Sequence, residues 1–363
     1  AAKVPLTNRG KIGQYPVAVP MVDMHTIGAG GGSIARLDEG GMLQVGPESA
    51  GASPGPACYN QGGTEATVTD ANLVLGRIPP DSKLGGYLPL SVEKAGQAVK
   101  ELADQMQLSI EETARGILKV ANEHMARALQ VISVQKGYDP QEFTLVSFGG
   151  AGGLHVCDLA EKLNVKNVLV PVYAGVLSAL GMLATRPGRQ LSQSVIKPLN
   201  DFEESELVSE FEKLAEKARK ELMLEGHAKE GFISGFSLDL RYQGQSNPLN
   251  ITWENIVACE RAFHQLHEKR YGHKLDIDVE LVNIRVAVVA EGIDFKLSQG
   301  NEFQPEEMVS GMNDVRIFPR ANLRCGQKIN GPAIITEPVA TTWLAEGWEC
   351  EVDEVGNLLL KPE

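Results

Sequence analysis

The sequence predicts an α/β fold followed by a smaller α+β domain, and three observations lead to this prediction. Within residues 1–200, apolar segments of strand length occur together with segments of helical periodicity. Two strand-like segments end in glycine clusters, at residues 28–32 and 149–153. After residue 231 the chain is mostly strand-like. We therefore predict two domains, residues 1–200 and residues 201–363.

The first domain begins with segments that predict an antiparallel meander. Residues 17–27 are apolar and predict a buried strand. Residues 33–38 alternate between apolar and polar side chains, and residues 42–45 return after a glycine turn. Strands separated by such turns are typical of hairpins, so we expect three antiparallel strands here.

Helices and two further strands follow the meander. Ser91 is the predicted N-cap of a helix that reaches about Gln105, and Ser109 with Glu112 forms a capping box. The later predicted elements are a strand at 144–148, a helix at 154–163, a strand at 167–170, a helix at 175–183 and helices at 203–225 and 255–271. Up to residue 183 the order is β-β-β-α-β-α-β-α. That order is typical of a ribonuclease-H-like half-domain, the building block of actin-like ATPases.

Composition excludes several classes of partner. The chain has 47 acidic and 34 basic side chains, a net charge of −13 and a pI of about 5.1. Because an acidic surface repels phosphate backbones and anionic lipids, we expect no nucleic acid and no membrane as a partner. The five scattered cysteines lack Cys-x-x-Cys spacing, which predicts free thiols in a reducing, cytoplasmic compartment. No signal peptide and no bilayer-spanning apolar run is recognisable.

The glycine-rich segment at residues 23–33 is the first candidate site. Gly30, Gly31, Gly32 and Ser33 lie in a segment where backbone N–H groups can converge on a phosphate without a Cβ in the way. A plain hairpin turn is the alternative, but it needs fewer glycines. A dinucleotide fingerprint is excluded because a predicted hairpin, and not a helix, follows the glycines.

A second glycine cluster supplies Gly149, Gly150, Gly152 and Gly153, followed by His155. It joins a predicted strand to a predicted helix, where backbone amides and the helix dipole can face a ligand. Close packing of the helix onto the strand explains the same glycines equally well. Both interpretations stay open at this point.

Asp23 and His25 are candidate catalytic residues. Residues two apart on a strand face the same side, so this carboxylate and imidazole could hold Mg²⁺ through Asp23 or move a proton. A buried hydrogen-bonded pair is the alternative. Asp70 and Asn72 could cap a helix or face the cleft, and capping is the favoured interpretation. A metal site at His264, His267 and His273 is disfavoured against a surface or interdomain role.

Seven stretches together resemble the hydantoinase A / 5-oxoprolinase family, over nearly the whole chain. They are residues 23–35 (DMHTIGAGGGSIA), 45–59, 63–77, 148–155 and 175–181, with weaker matches at 239–245 and 331–338. By position in these motifs, Gly30 to Ser33 resemble the second phosphate loop of the family and Gly149 to Gly153 its adenosine-side loop.

The resemblance implies an actin-like ATPase fold and ATP-dependent opening of cyclic amides or imides, such as 5-oxoproline and hydantoins. ATP would phosphorylate the carbonyl oxygen or its enol, with Mg²⁺ neutralising the phosphates. The implied partners are a hydantoinase B-type subunit or domain and a small cyclic amide, in an oligomer. Some relatives carboxylate ketones, and an ATP-dependent ketone carboxylase subunit is one alternative.

Three departures from the family pattern qualify these expectations. The upstream Asp-x-Gly-Gly-Thr phosphate loop of the family is missing from this sequence, so we expect the C-terminal part of a subunit, inactive on its own. Gly153 stands where the family usually has proline, and Gly28 stands where other actin-like families have an aspartate. A non-catalytic module that mediates subunit contact is therefore a second alternative.

Overall fold

A computed structural model of the chain describes residues 6–7, 10–12, 15–17, 21–227, 231–290, 309–310 and 315–363. These residues form two compact units, Ala1–Leu180 with Leu297–Glu363 and Gly181–Lys296. The units do not coincide with the predicted division at residue 200, because the C-terminal strands pair with strands of the first unit. As independently folding domains, residues 1–200 and 201–363 stay a prediction.

The helices follow the local signals in the sequence closely. Ser91 caps α2, and the Ser109–Glu112 capping box opens α3, both as predicted. After α3 a short 3₁₀ turn ends at Gly137, whose φ is +82°. In the described residues the α-helices are α1 (Val68–Val74), α2 (Val92–Met106), α3 (Ile110–Ile132), α4 (Val156–Leu163), α5 (Leu177–Ala184), α6 (Glu204–Leu224) and α7 (Ile256–Tyr271).

The strands fall into small sheets, and only part of their pairing follows the chain order. Their bounds are β1 (Leu6–Thr7), β2 (Gly10–Ile12), β3 (Tyr15–Val17), β4 (Met21–Val22), β5 (Ser33–Leu37), β6 (Leu43–Ser49), β7 (Lys83–Leu84), β8 (Leu88–Pro89), β9 (Thr144–Val146), β10 (Asn167–Val170), β11 (Gly188–Pro198), β12 (Ile233–Tyr242), β13 (Leu249–Thr252), β14 (Val279–Val289), β15 (Val309–Ser310), β16 (Arg316–Pro319), β17 (Lys328–Asn330), β18 (Ala333–Glu337), β19 (Ala340–Leu344), β20 (Trp348–Val352) and β21 (Leu358–Pro362).

The largest sheet of the first unit has the strand order β17-β20-β21-β10-β9. β9 and β10 are parallel, joined through α4, while β21 pairs antiparallel with β10 and places Leu360 opposite Val168. Both of these side chains are buried. The mixed α/β class is therefore confirmed. The predicted order of a ribonuclease-H-like half-domain is not, because C-terminal strands complete this sheet.

The predicted three-strand meander is wrong in the described residues. β5 and β6 form a two-stranded antiparallel hairpin, whose buried residues share one hydrophobic core with residues of α1, α2 and α3. Residues 23–27 are not a strand, and Met24 is 71% exposed. Residues 18–20 of the predicted strand lie outside the described residues. The apolar composition of residues 17–27 indicated burial, but it did not show whether other elements cover them.

The second unit is a four-stranded antiparallel sheet, β11-β14-β12-β13, with α6 and α7. Its core contains Phe211 of α6, Tyr242 of β12 and Phe263 of α7. Both helices confirm the predicted segments. Among the described residues, a helix with the length and apolarity to cross a membrane is not found.

Candidate functional site

The glycine segment before β5 is held in place by hydrogen bonds to its own carbonyl groups. The backbone N–H and the hydroxyl of Thr69 both donate to the Gly31 carbonyl oxygen, at 2.8 and 2.9 Å. The Ala50 N–H donates to the Gly32 carbonyl at 2.9 Å. Ser33 is buried, and its hydroxyl accepts from the Gly30 N–H at 2.9 Å. The segment is thus a fixed loop in which the Ser33 hydroxyl serves the loop itself.

Packing explains two of these glycines and leaves a third without a structural reason. A Cβ on Gly31 would lie 2.6 Å from Thr69 Oγ1, and one on Gly32 would lie 2.8 Å from Ser49 Oγ. A Cβ on Gly30 would meet nothing within 4 Å. None of the three has a positive φ. Gly30 therefore faces open space, where a ligand could approach the backbone closely.

Three backbone N–H groups of this loop are available to a ligand. Those of Ala29, Gly31 and Gly32 donate to no acceptor within the part of the chain that the structure describes. Adjacent free amides of this kind form concavities that bind anions. Phosphate binding at Gly30, Gly31, Gly32 and Ser33 stays a prediction. In the structure the Ser33 hydroxyl stabilises the loop by accepting from the Gly30 N–H.

An open cleft of about 500 Å³ begins at this loop. Its walls are the segment from His25 to Ala29, strand β6, and one face of α3. Helical spacing of three or four positions places the α3 residues of the wall on one face of that helix. They are Val120, His124, Arg127, Ala128 and Val131. Gly30 to Ser33 and Gly149 to Gly153 are outside the wall. The two glycine clusters therefore do not line a common cleft here.

His25 lies in the wall of the cleft, whereas Asp23 is engaged in an ion pair. Asp23 Oδ2 lies 2.5 Å from Lys136 Nζ, in the turn that follows α3. Both His25 and the segment around it are exposed and not in a strand, so the predicted arrangement on one side of a buried strand is wrong. Their catalytic roles stay predictions.

Asp23 and His25 do not by themselves form a metal centre. In the described ranges, no group of three or more His, Cys, Asp or Glu side chains is placed to hold a metal ion. Asp23 is neutralised by Lys136. A magnesium ion is usually held by one or two carboxylates together with phosphates and water, so Asp23 would first have to leave its ion pair.

The second glycine cluster packs against β19. Gly149 has φ +87°, and its N–H donates to the Ala174 carbonyl at 2.8 Å. A Cβ on Gly153 would lie 2.6 Å from Thr342 Oγ1, and one on Gly152 would lie 2.8 Å from Ser147 Oγ. Of the two interpretations left open, close packing therefore accounts for Gly152 and Gly153. Nucleotide binding at Gly149 to Gly153 stays a prediction.

A buried polar network fixes the residues that follow this cluster. His155 Nδ1 and Asn122 Oδ1 are 2.7 Å apart, and the Asn122 amide donates to Asp158 at 2.8 Å. Arg77 completes the network with an ion pair to Asp158 at 3.1 Å. Burial, and then the charge of Arg77, lower the pKa of His155 to about 4. His155 is therefore neutral near pH 7 and joins α3 to the start of α4.

The remaining candidates have structural roles. Asp70 closes a capping box with Thr67 at the start of α1, as expected. The capping role expected of Asn72 is wrong, because its side-chain amide donates to the Val68 carbonyl within the helix. His267 is buried beside Tyr242, and its Nδ1 lies 2.9 Å from the His273 carbonyl oxygen. His267 is a core residue, so the predicted surface or interdomain role is wrong for this histidine.

Sequence reasoning missed His124 and Arg127. They lie beside the apolar stripe of α3, on the face that also carries Val120 and Val131. The sequence signal for this pair was the spacing of three positions between His124 and Arg127, which places both side chains on the same face of a helix. It could not be recognised without knowing that β6 and the segment from His25 to Ala29 stand opposite.

Comparisons with known proteins define the class of this chain. The family model described as hydantoinase/oxoprolinase matches residues 1–190. The chain belongs to this family.

Two relatives are similar over most of this chain. An uncharacterised protein of Methanocaldococcus jannaschii is 37% identical, covering 96% of this chain and 52% of that protein. Caprolactamase subunit alpha of Pseudomonas jessenii is 33% identical, covering 96% and 54%. The chain thus spans about half the length of these relatives.

Two solved structures share the fold. The crystal structure of ATP-dependent caprolactamase from Pseudomonas jessenii aligns with TM-score 0.75 and 31% identity, covering 98% of this chain and 55% of that chain. The nucleotide-free structure of acetone carboxylase aligns with TM-score 0.86 and 23% identity, covering 99% and 56%. At that lower identity, acetone carboxylase supports the fold and carries no argument about activity.

Proposed function

We propose that this chain is part of an ATP-dependent hydrolase that opens a cyclic amide, and that the Gly28–Ser33 loop receives phosphate oxygens of ATP. The observation that carries the proposal is the open backbone at Gly30, next to the free N–H groups of Ala29, Gly31 and Gly32. The 31% identity to a protein described as an ATP-dependent caprolactamase supports the choice of nucleotide and reaction class.

When bound, ATP would supply a phosphoryl group to the amide oxygen, which would make the carbonyl carbon electrophilic enough for water to add and for the ring nitrogen to leave with a proton. The role of this chain is to bind the negative charge of the phosphates. Because the carbonyl groups of Gly31 and Gly32 are fixed by hydrogen bonds, the neighbouring N–H groups are already oriented before the nucleotide binds. His25, exposed in the cleft wall, is the proposed group that moves a proton. Asp23 anchors the same segment to Lys136.

The family resemblance carries the finer parts of the proposal. These are an actin-like ATPase fold with nucleotide contacts at Gly149 to Gly153, Mg²⁺ as the ion on the phosphates, a hydantoinase B-type partner in an oligomer, and a cytoplasmic location. A magnesium role for Asp23 is the least supported of them because of its ion pair.

Substrate-dependent ATP hydrolysis tests the reaction class. The chain, joined to the upstream half of the subunit and combined with a hydantoinase B-type subunit, is given ATP and Mg²⁺ with 5-oxoproline, hydantoin, caprolactam or acetone. We expect stimulation by at least one cyclic amide and none by acetone. Stimulation by acetone alone, dependent on bicarbonate, would favour the ketone carboxylase alternative. ATP binding without hydrolysis under every condition would favour the non-catalytic module.

A further inference from the structure

The ionisable side chains in the cleft wall are all of basic type, whereas the chain as a whole is acidic. The chain carries a net charge of −13. Yet the ionisable side chains in the wall are His25, His124 and Arg127, with no Asp or Glu among the wall residues within the described ranges. An anion in this cleft would meet the charge of Arg127 and two imidazole rings, with no carboxylate among the described wall residues.

Arg127 is only loosely engaged by its neighbour. Its Nε lies 3.5 Å from Glu123 Oε1, and its side chain is 70% exposed. Glu123 also pairs with Lys162 at 2.8 Å, and these contacts lower the pKa of the Glu123 carboxyl. The terminal nitrogens of Arg127 have no recorded partner among the described residues and can make a bidentate contact with a planar oxyanion.

The rest of the wall is apolar and limits the size of the ligand. Ile27, Val45, Val120 and Val131 face the same cleft of about 500 Å³. A highly charged ligand would leave these surfaces unused, whereas a small organic acid would place its carbon skeleton against them. We propose that His124 and Arg127 bind the carboxylate of a small organic acid in this cleft.

Calorimetric titration with two matched compounds tests this assignment. 5-Oxoproline is an anion, and 2-pyrrolidone has the same lactam ring without the carboxylate. This choice of probe rests on the proposed function, whereas the binding site itself does not. The full chain is compared with Arg127→Gln, His124→Gln and the control Arg115→Gln. Arg115 is an exposed arginine of the same helix that pairs with Glu111.

We expect 5-oxoproline to bind about tenfold or more tightly than 2-pyrrolidone, as a hydrogen bond between charged groups implies. Arg127→Gln should reduce the preference to about twofold, His124→Gln should weaken it in the same direction, and Arg115→Gln should retain it. Equal affinity for the two compounds, no detectable binding of either, or an unchanged preference in Arg127→Gln overturns the proposal.

Titration with inorganic phosphate tests whether the cleft prefers a carboxylate or a phosphate. If phosphate binds as tightly as 5-oxoproline and Arg127→Gln weakens both, the cleft is a phosphate subsite and the carboxylate assignment is wrong. A parallel titration with ATP and Mg²⁺ keeps the two proposals separate. Absence of ATP binding together with Arg127-dependent binding of 5-oxoproline would count against the proposed function alone.

Discussion

Thr69 donates two hydrogen bonds to the carbonyl oxygen of Gly31, one from its backbone N–H at 2.8 Å and one from its hydroxyl at 2.9 Å. These residues are 38 positions apart in the chain. The first turn of α1 therefore fixes the loop that carries the proposed phosphate contacts.

Thr69→Val should lower the free energy of unfolding by about 1 kcal/mol, because it removes one hydrogen bond and leaves the other in place. Thr113→Val is the matched control. Thr113 also lies in the first turn of a helix, but its buried hydroxyl has no partner in the described residues. The control should be neutral or stabilising. Equal losses in urea unfolding of the two variants would show that the Thr69 hydroxyl does not hold the loop.

His155 should make stability depend on pH between about 4 and 6.5. Its pKa is about 4 in the folded chain, against 6.5 for the unperturbed group. In this window the unfolded chain binds the extra proton, so stability falls as the pH decreases. From pH 7 to pH 5 the wild type should lose about 2 kcal/mol more than His155→Gln.

Urea unfolding of the two proteins at pH 7, 6 and 5 measures this difference. Parallel pH slopes for wild type and His155→Gln would contradict a neutral, buried His155. The comparison cancels contributions from the carboxylates that both proteins share.

The ion pair of Asp23 and Lys136 predicts similar, small effects of two substitutions. Both side chains are partly exposed, so Asp23→Asn and Lys136→Gln should each cost less than about 1 kcal/mol of stability. If Asp23 only anchors its segment, both variants should change ATP hydrolysis by a similar factor. A much larger loss in Asp23→Asn than in Lys136→Gln would instead indicate that the carboxylate reaches the metal ion.

Local signals in the sequence predicted local structure well. Ser91 and the Ser109–Glu112 pair mark helix starts because capping depends on residues three positions apart. The sheet around β10 was not predictable in this way, since the paired residues Val168 and Leu360 are separated by more than half of the chain. The strand expected at residues 17–27 failed because apolar composition does not reveal what covers a segment.

The glycine cluster shows the same limit at the candidate site. The sequence was compatible with a ligand-binding loop or with a plain turn. In the structure, some glycines of the cluster are required by packing and another is open to a ligand. Gly31 and Gly32 are close to Thr69 and Ser49, which lie 38 and 17 positions away, whereas Gly30 is open. Basic residues on α3 escaped notice for a related reason, because the cleft exists only where distant segments meet.

Calorimetric titration of Gly30→Ala with ATP and Mg²⁺ tests the central claim most directly. The new Cβ meets nothing within 4 Å, so the fold should tolerate it, while it blocks close approach of a phosphate to the loop. Gly96→Ala, at an equally open glycine of α2, is the matched control. We expect Gly30→Ala to lose about tenfold or more in ATP affinity, the loss of roughly one charge-assisted hydrogen bond. Gly96→Ala should bind as the wild type does. Wild-type affinity in Gly30→Ala would contradict the account.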